Sequence, residues 1–376
     1  MKPATSCYLD LLRISAAIVV LLSHYMPSLY GWHENWITGH DAVIVFFVLS
    51  GFVVAYAAEF RDKNIGTYAI SRLSRLWSVG IPSLLIGLIV AGLGSNGGYD
   101  FWLNTVFSVL LNLFFLGEGW NWEIFAPGNG PYWSINYEAW YYIIFGIAFY
   151  LRTPYRTPLL ILALVLAGPK IVLLLPIWLA GVVLFRYRHI LVVSPGTASF
   201  MLISSIIAFA YVSSTQLTVW SREWLRDLTG GYSYLLGPST SILGDYLLLP
   251  IICMNIVAAN NLGGIVGAAF EKLRTTIAFI SSFTLSVYLF HMPLHYLFAD
   301  VFSKYLHRTL PPNLIFFLCI VGIVSIGFLT EHKRHWLRTW MASNRVYRSI
   351  EATIRVMASD KREAASIGWE SRRKQK

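Results

Sequence analysis

Charge is what this sequence has least of. Only 13% of its 376 residues are Asp, Glu, Lys or Arg, while 56% are hydrophobic and the mean hydropathy is +0.58. Soluble globular proteins carry about 25% charged residues. The deficit excludes an ordinary soluble enzyme, a disordered chain and a nucleic-acid binder. The net charge of +10 does not restore the last of these, because its distribution is lopsided. From His332 to Lys376 there are 12 basic and 4 acidic residues, against 17 and 15 in the rest of the chain. The basic excess is a tail, not a binding face. Cysteine is scarce as well: Cys7, Cys253 and Cys319 have neither metal spacing nor a disulfide framework. Repeats and low-complexity segments are missing, and no small-residue cleavage site follows Ser23-His24-Tyr25, so the first apolar stretch reads as a retained span. What remains is an all-α, polytopic membrane protein.

A helix needs about 20 apolar residues to cross ~30 Å of hydrocarbon. The runs near 8–27, 41–58, 79–93, 132–151, 198–212, 242–259, 276–298 and 314–330 meet that requirement. Residues 101–117 either cross or dip in and return, and 158–185 form one long helix or two short ones broken at Gly168-Pro169-Lys170. The positive-inside rule favours a re-entrant 101–117 and a hairpin at 158–185. That arrangement puts 23 basic residues inside and 5 outside, with Arg13 in the membrane. It has about ten crossings and both termini in the cytoplasm. Residues 1–331 are then the membrane domain and 332–376 a basic cytoplasmic tail, with an amphipathic stretch near 346–357.

Ionisable groups inside spans are costly and are therefore functional candidates. Arg13 and His24 lie eleven residues apart in the first span. At 100° per residue they share one helix face, roughly 16 Å apart along the axis. Asp41 opens the second helix, either as an N-terminal cap or as a carboxylate level with His24 that orients its imidazole. Arg72 and Arg75, at i and i+3, are topology-setting charges or a bidentate phosphate clamp. Glu138 sits in Trp133-Ser134-Ile135-Asn136-Tyr137-Glu138, ahead of more than ten uncharged residues, and is a buried proton-exchange candidate. Trp133 and Ser134 are one turn away on a similar face. His291 and His295 have zinc-compatible i, i+4 spacing, but no third ligand accompanies them and no metal is expected.

Taken together these residues resemble the acyltransferase-3 family of integral membrane acyltransferases, over about Tyr8 to Arg338. The carrying elements are Tyr8-Leu9-Asp10-Leu11-Leu12-Arg13 with His24, Phe46-Phe47-Val48-Leu49-Ser50-Gly51-Phe52, Arg72-x-x-Arg75, Trp133-Ser134-Ile135-x-x-Glu138 and Tyr288-Leu289-Phe290-His291-x-Pro293. One departure stands out. The family often has an acidic residue two positions before the Phe-Phe pair, where this chain has Ile44; Asp41, one turn earlier, is the available substitute.

The resemblance implies transfer of an acyl group, usually acetyl, from cytoplasmic acyl-CoA to an extracytoplasmic glycan. Expected acceptors include exopolysaccharide, O-antigen and lipo-oligosaccharides, and the expected location is a bacterial inner membrane. It implies His24 as base with Asp41 and Glu138 in catalytic roles, and Arg13, Arg72 and Arg75 on the CoA phosphates. Trp133, Ser134 and His291 would support the site. Surface-polysaccharide synthesis machinery is an expected partner. The rival from another class is a transporter or flippase for a lipid-linked sugar, which would use the same buried charges as a substrate path. No inverted repeat or matched pair of broken helices favours it.

Overall fold

The computed structural model describes residues 3–32, 39–95, 97–152, 154–263 and 270–344, and among them it has helices and no β-strand. The amphipathic stretch expected near 346–357 lies outside the described residues. Seven helices are long and apolar enough to cross a bilayer, and an eighth is gained if 274–281 and 284–306, bent by 42°, form one span.

Fourteen α-helices organise the described residues. The first three are α1 (Pro3–Tyr30), α2 (Gly39–Phe60) and α3 (Ile65–Gly94). The apolar pattern alone places the third near residue 79. It begins fourteen residues earlier because Asn64 and Thr67 form a reciprocal capping box. That early start brings Arg72 and Arg75 inside the helix instead of leaving them on a loop.

The short α4 (Tyr99–Leu113) has 15 residues, so it is about 22 Å long. It starts against the far end of α3 at Gly92 and descends until the Leu113 carbonyl accepts from Trp77 Nε1 at 3.0 Å. The chain then turns at Phe115, which has φ of 60°, and climbs back. On the way up, Ser108 donates to the Phe125 carbonyl and Asn112 to the Ile124 carbonyl. The chain after Phe115 thus runs back alongside α4.

After it come α5 (Trp133–Tyr150) and α6 (Arg156–Arg186). Gly168, at φ 78° and ψ 170°, breaks α6 in two, as the Gly-Pro-Lys signal anticipates. Tyr141 donates to Ile171 near the start of the second half, and Phe145 packs on Trp178 further along. The second half therefore runs in the same direction as α5, so residues 156–167 must run back between them. The turn at Lys170 is tied to the α4–α5 loop by an ion pair with Glu118 at 2.8 Å, both side chains nearly inaccessible.

The second half of α6 lies against α2 at very close range. A Cβ on Gly51 would collide with the Trp178 carbonyl, and one on Gly181 with the Val48 carbonyl. Phe52, Phe185, Tyr141 and Trp178 fill the surrounding core. The remaining helices are α7 (Pro195–Ser214), α8 (Leu217–Leu228), α9 (Ile242–Asn261), α10 (Arg274–Ser281), α11 (Thr284–Tyr296), α12 (Phe302–Leu306), α13 (Pro312–Thr330) and α14 (Arg334–Ser343). α11 sits centrally, packing on α1, α3 and α13.

Candidate active site

Two hollows meet along the α1–α2–α5–α11 seam. The larger, of about 770 Å³, is lined by His24, His40, Trp133, Arg222, Tyr234 and Tyr296 among others. The smaller, of about 50 Å³, is lined by Arg13, Ser50, Arg75, Ser134 and Glu138. Val43 and Tyr288 line both and form the partition between them.

His24 is placed on the large side by α1 and is held from behind. Its Nδ1 lies 2.9 Å from the Val20 carbonyl and 3.3 Å from His291 Nε2. His291 is fully buried, and its own Nδ1 lies 3.0 Å from the Val287 carbonyl. A carbonyl can only accept, so His291 carries its proton on Nδ1 and its Nε2 accepts. His24 is then the Nδ1–H tautomer with either partner, which makes Nε2 its basic atom. Of the two late histidines, His291 thus serves His24, while His295 Nε2 meets Ser28 Oγ at 2.8 Å. Among the described residues no group of three or more His, Cys, Asp or Glu side chains could hold a metal ion.

The structure does not bring Asp41 to His24. Its carboxylate is buried and accepts from Ser213 Oγ at 2.8 Å and Thr218 Oγ1 at 2.9 Å, joining α2 to α7 and α8. The neighbouring His40 faces the large hollow instead. Its Nε2 lies 2.9 Å from Asp245 Oδ1, and its ring stacks on Trp133 with centroids 5.7 Å apart. Sequence reasoning missed the His40–Asp245 pair because the partners are 205 residues apart.

On the small side, Glu138 Oε1 accepts from Ser50 Oγ and Tyr142 Oη, each at 2.5 Å, and Trp178 Nε1 donates to the same serine at 3.1 Å. Ser50 belongs to the Phe-Phe-Val-Leu-Ser-Gly-Phe run, whose Gly51 admits α6; the motif is a packing and anchoring device for Glu138. Ser134 Oγ donates to Tyr288 Oη at 2.7 Å, and Tyr288 donates on to the Pro131 carbonyl at 2.8 Å, which fixes the partition.

The arginines divide. Arg13 and Arg75 line the small hollow with Glu138, and Arg13 also lies 3.5 Å from Asp10. Arg72 is buried, 3.2 Å from Asp62 and over the rings of Tyr68 and Tyr142. Burial pushes the Asp62 carboxyl up from its usual range, and the Arg72 charge pulls the other way. A second missed feature is Arg334, whose charge reaches Arg75 and Arg72 although its position reads as tail.

The sequence pattern of the acyltransferase-3 family, described as an acyltransferase domain, matches residues 8–332. The chain belongs to the acyltransferase-3 family. Its acyltransferase domain takes in all or most of each of the seven helices long and apolar enough to cross a bilayer. It is also similar to the acyltransferase MdmB of Streptomyces mycarofaciens, 34% identical over 110 residues, which is 28% of this chain and 27% of that protein. The match therefore spans about a quarter of that relative. No solved structure matches. α14 lies beyond the part of the chain that the family pattern covers.

Proposed function

We propose that this acyltransferase moves a short acyl group, acetyl first, from cytoplasmic acyl-CoA to a hydroxyl of an extracytoplasmic glycan. The observation that carries the reading is the two-sided site: an arginine-lined void and a roomy histidine-lined hollow that share Val43 and Tyr288 in their walls. The aromatic lining of the large hollow suits sugar faces, and its volume falls in the range of small-molecule sites, ~300–1,000 Å³.

The direction of the helices supports ten crossings with both termini in the cytoplasm, α4 dipping in and α6 counting twice. On that reading Arg13 and Arg75 stand at the cytoplasmic side and His24 at the outer side of a bacterial inner membrane. Arg13 and Arg75, with Arg72, hold the donor phosphates, and the pantetheine arm threads past Glu138 and Tyr288. His24 Nε2 takes the acceptor proton as the hydroxyl oxygen attacks the thioester carbonyl. The C–S bond then breaks, and the departing thiolate takes the proton back from His24. His291 holds the tautomer, and Glu138 holds the channel wall. Asp41 serves as a strut for the outer helices.

A flippase is not favoured by this geometry, since a void of about 50 Å³ admits a few water-sized groups and no sugar ring. The test is transfer of radiolabel from acetyl-CoA to extractable glycolipid in membranes containing the native protein or His24→Ala. The native protein labels the acceptor, and the variant falls by about 10²–10⁴-fold. Equal labelling by both would remove His24 from the chemistry.

A further inference from the structure

After α13 the chain turns at 331–333 and lays α14 against α3, the helix that carries Arg72 and Arg75. α14 has three distinct faces. Leu337 and the buried Met341 point into the protein. Trp336 and Trp340, one turn apart, are 66% and 62% exposed and suit the headgroup region of a bilayer. Arg334 and Arg338, also one turn apart, stand exposed on the opposite side from the tryptophans.

The charges around them do not balance. Arg334 lies within electrostatic reach of Arg72, Arg75 and Arg338, and Arg13 within reach of Arg75. Asp62, which Arg338 also reaches, is already engaged by Arg72. Glu331 accepts from Ser286 Oγ at 2.8 Å and is shared by Arg75 and Arg334, while Glu138 faces Arg13 and Arg75, so five arginines crowd around fewer carboxylates. Among the described residues neither Arg334 nor Arg338 has a carboxylate within 4.0 Å, and the buried Arg72 Nε has no hydrogen-bond partner. Gathering like charges costs free energy, and a polyanion seated among them offsets that cost. Planar guanidinium forks suit phosphate oxygens in particular.

We infer that α14 completes a polyphosphate site, in which Arg334 and Arg338 join Arg72 and Arg75 in binding the pyrophosphate and ribose phosphate of the CoA moiety. The inference rests on acyl-CoA being the donor. The phosphate of an anionic lipid is the other source of the same chemistry, and the experiment separates the two.

The full-length protein is reconstituted in phosphatidylcholine, with and without phosphatidylglycerol, and titrated with CoA and with pantetheine, which lacks the phosphates. The native protein binds CoA more tightly than pantetheine. In R334A/R338A, CoA binding weakens at least tenfold in both lipid compositions, pantetheine binding is unchanged, and R334K/R338K recovers part of the loss. Unchanged CoA affinity in R334A/R338A would overturn the inference, as would a loss seen only with phosphatidylglycerol present. Acyl transfer by native protein and R334A/R338A with equal KM for acetyl-CoA would sink the inference and leave the acyltransferase reading intact. CoA binding that meets these expectations without any acyl transfer would do the reverse.

Discussion

At the scale of single residues, the proposed chemistry turns on which nitrogen of His24 is basic, and a residue 267 positions away joins the Val20 carbonyl in setting it. The shared face of Arg13 and His24 was legible from helical periodicity, because both sit on one straight element. The His24–His291 contact was not, since it depends on how α1 and α11 pack. Asp41 shows the same limit from the other side. Adjacent helical residues point about 100° apart, so the rotation of α2 decides whether His40 or Asp41 enters the hollow. Ser213 and Thr218 capture Asp41, and Asp245 captures His40. Replacing His291 by Phe keeps the volume but frees the His24 ring to turn. The expected outcome is a fall in kcat of about 10²-fold, of the size that a 1 Å misplacement costs. KM for acetyl-CoA, set at the arginines, should hold steady. A parallel rise in KM would show that His291 supports the fold more broadly.

Single elements carry the second set of consequences. The break at Gly168-Pro169-Lys170 could be read in advance, because Gly and Pro interrupt any helix. That the two halves return rather than continue was readable only through the charges at 152–156 and 186–188. The start of α3 was missed because a capping box, not hydropathy, defines it. The α2–α6 contact was hidden in two ordinary-looking glycines. Gly51→Ala and Gly181→Ala each force a methyl group against backbone. Overpacking of this kind costs about 1–3 kcal/mol, so both variants should unfold at lower temperature in detergent, with activity lost in proportion to folded protein. A native melting temperature in both would mean that α2 and α6 are further apart than described.

For the whole molecule, composition alone established a membrane-embedded helical bundle, and five short motifs in order pointed to the family that residues 8–332 match. The start of the tail was harder to read. Its charges look like a solvated appendage, yet Arg334–Ser343 packs on α3, the helix of Arg72 and Arg75. Topology is testable at this scale with single cysteines and a membrane-impermeant maleimide on intact cells. Lys63→Cys and Arg156→Cys should be protected until the cells are opened, whereas Arg226→Cys and Arg308→Cys should label at once. Labelling of Arg156→Cys in intact cells would contradict the α6 hairpin and make α4 a full crossing, with the later helices left in place.

Acyl transfer across the membrane is tested most directly by mass spectrometry of surface glycans from three strains: native protein, no protein, and His24→Ala at matched membrane abundance. An ester mass increment, 42 Da for acetyl (on the order of one added C₂H₂O), should appear with the native protein only. Identical acylation in all three strains, with glycan export lost where the protein is absent, would contradict the enzyme and point to transport.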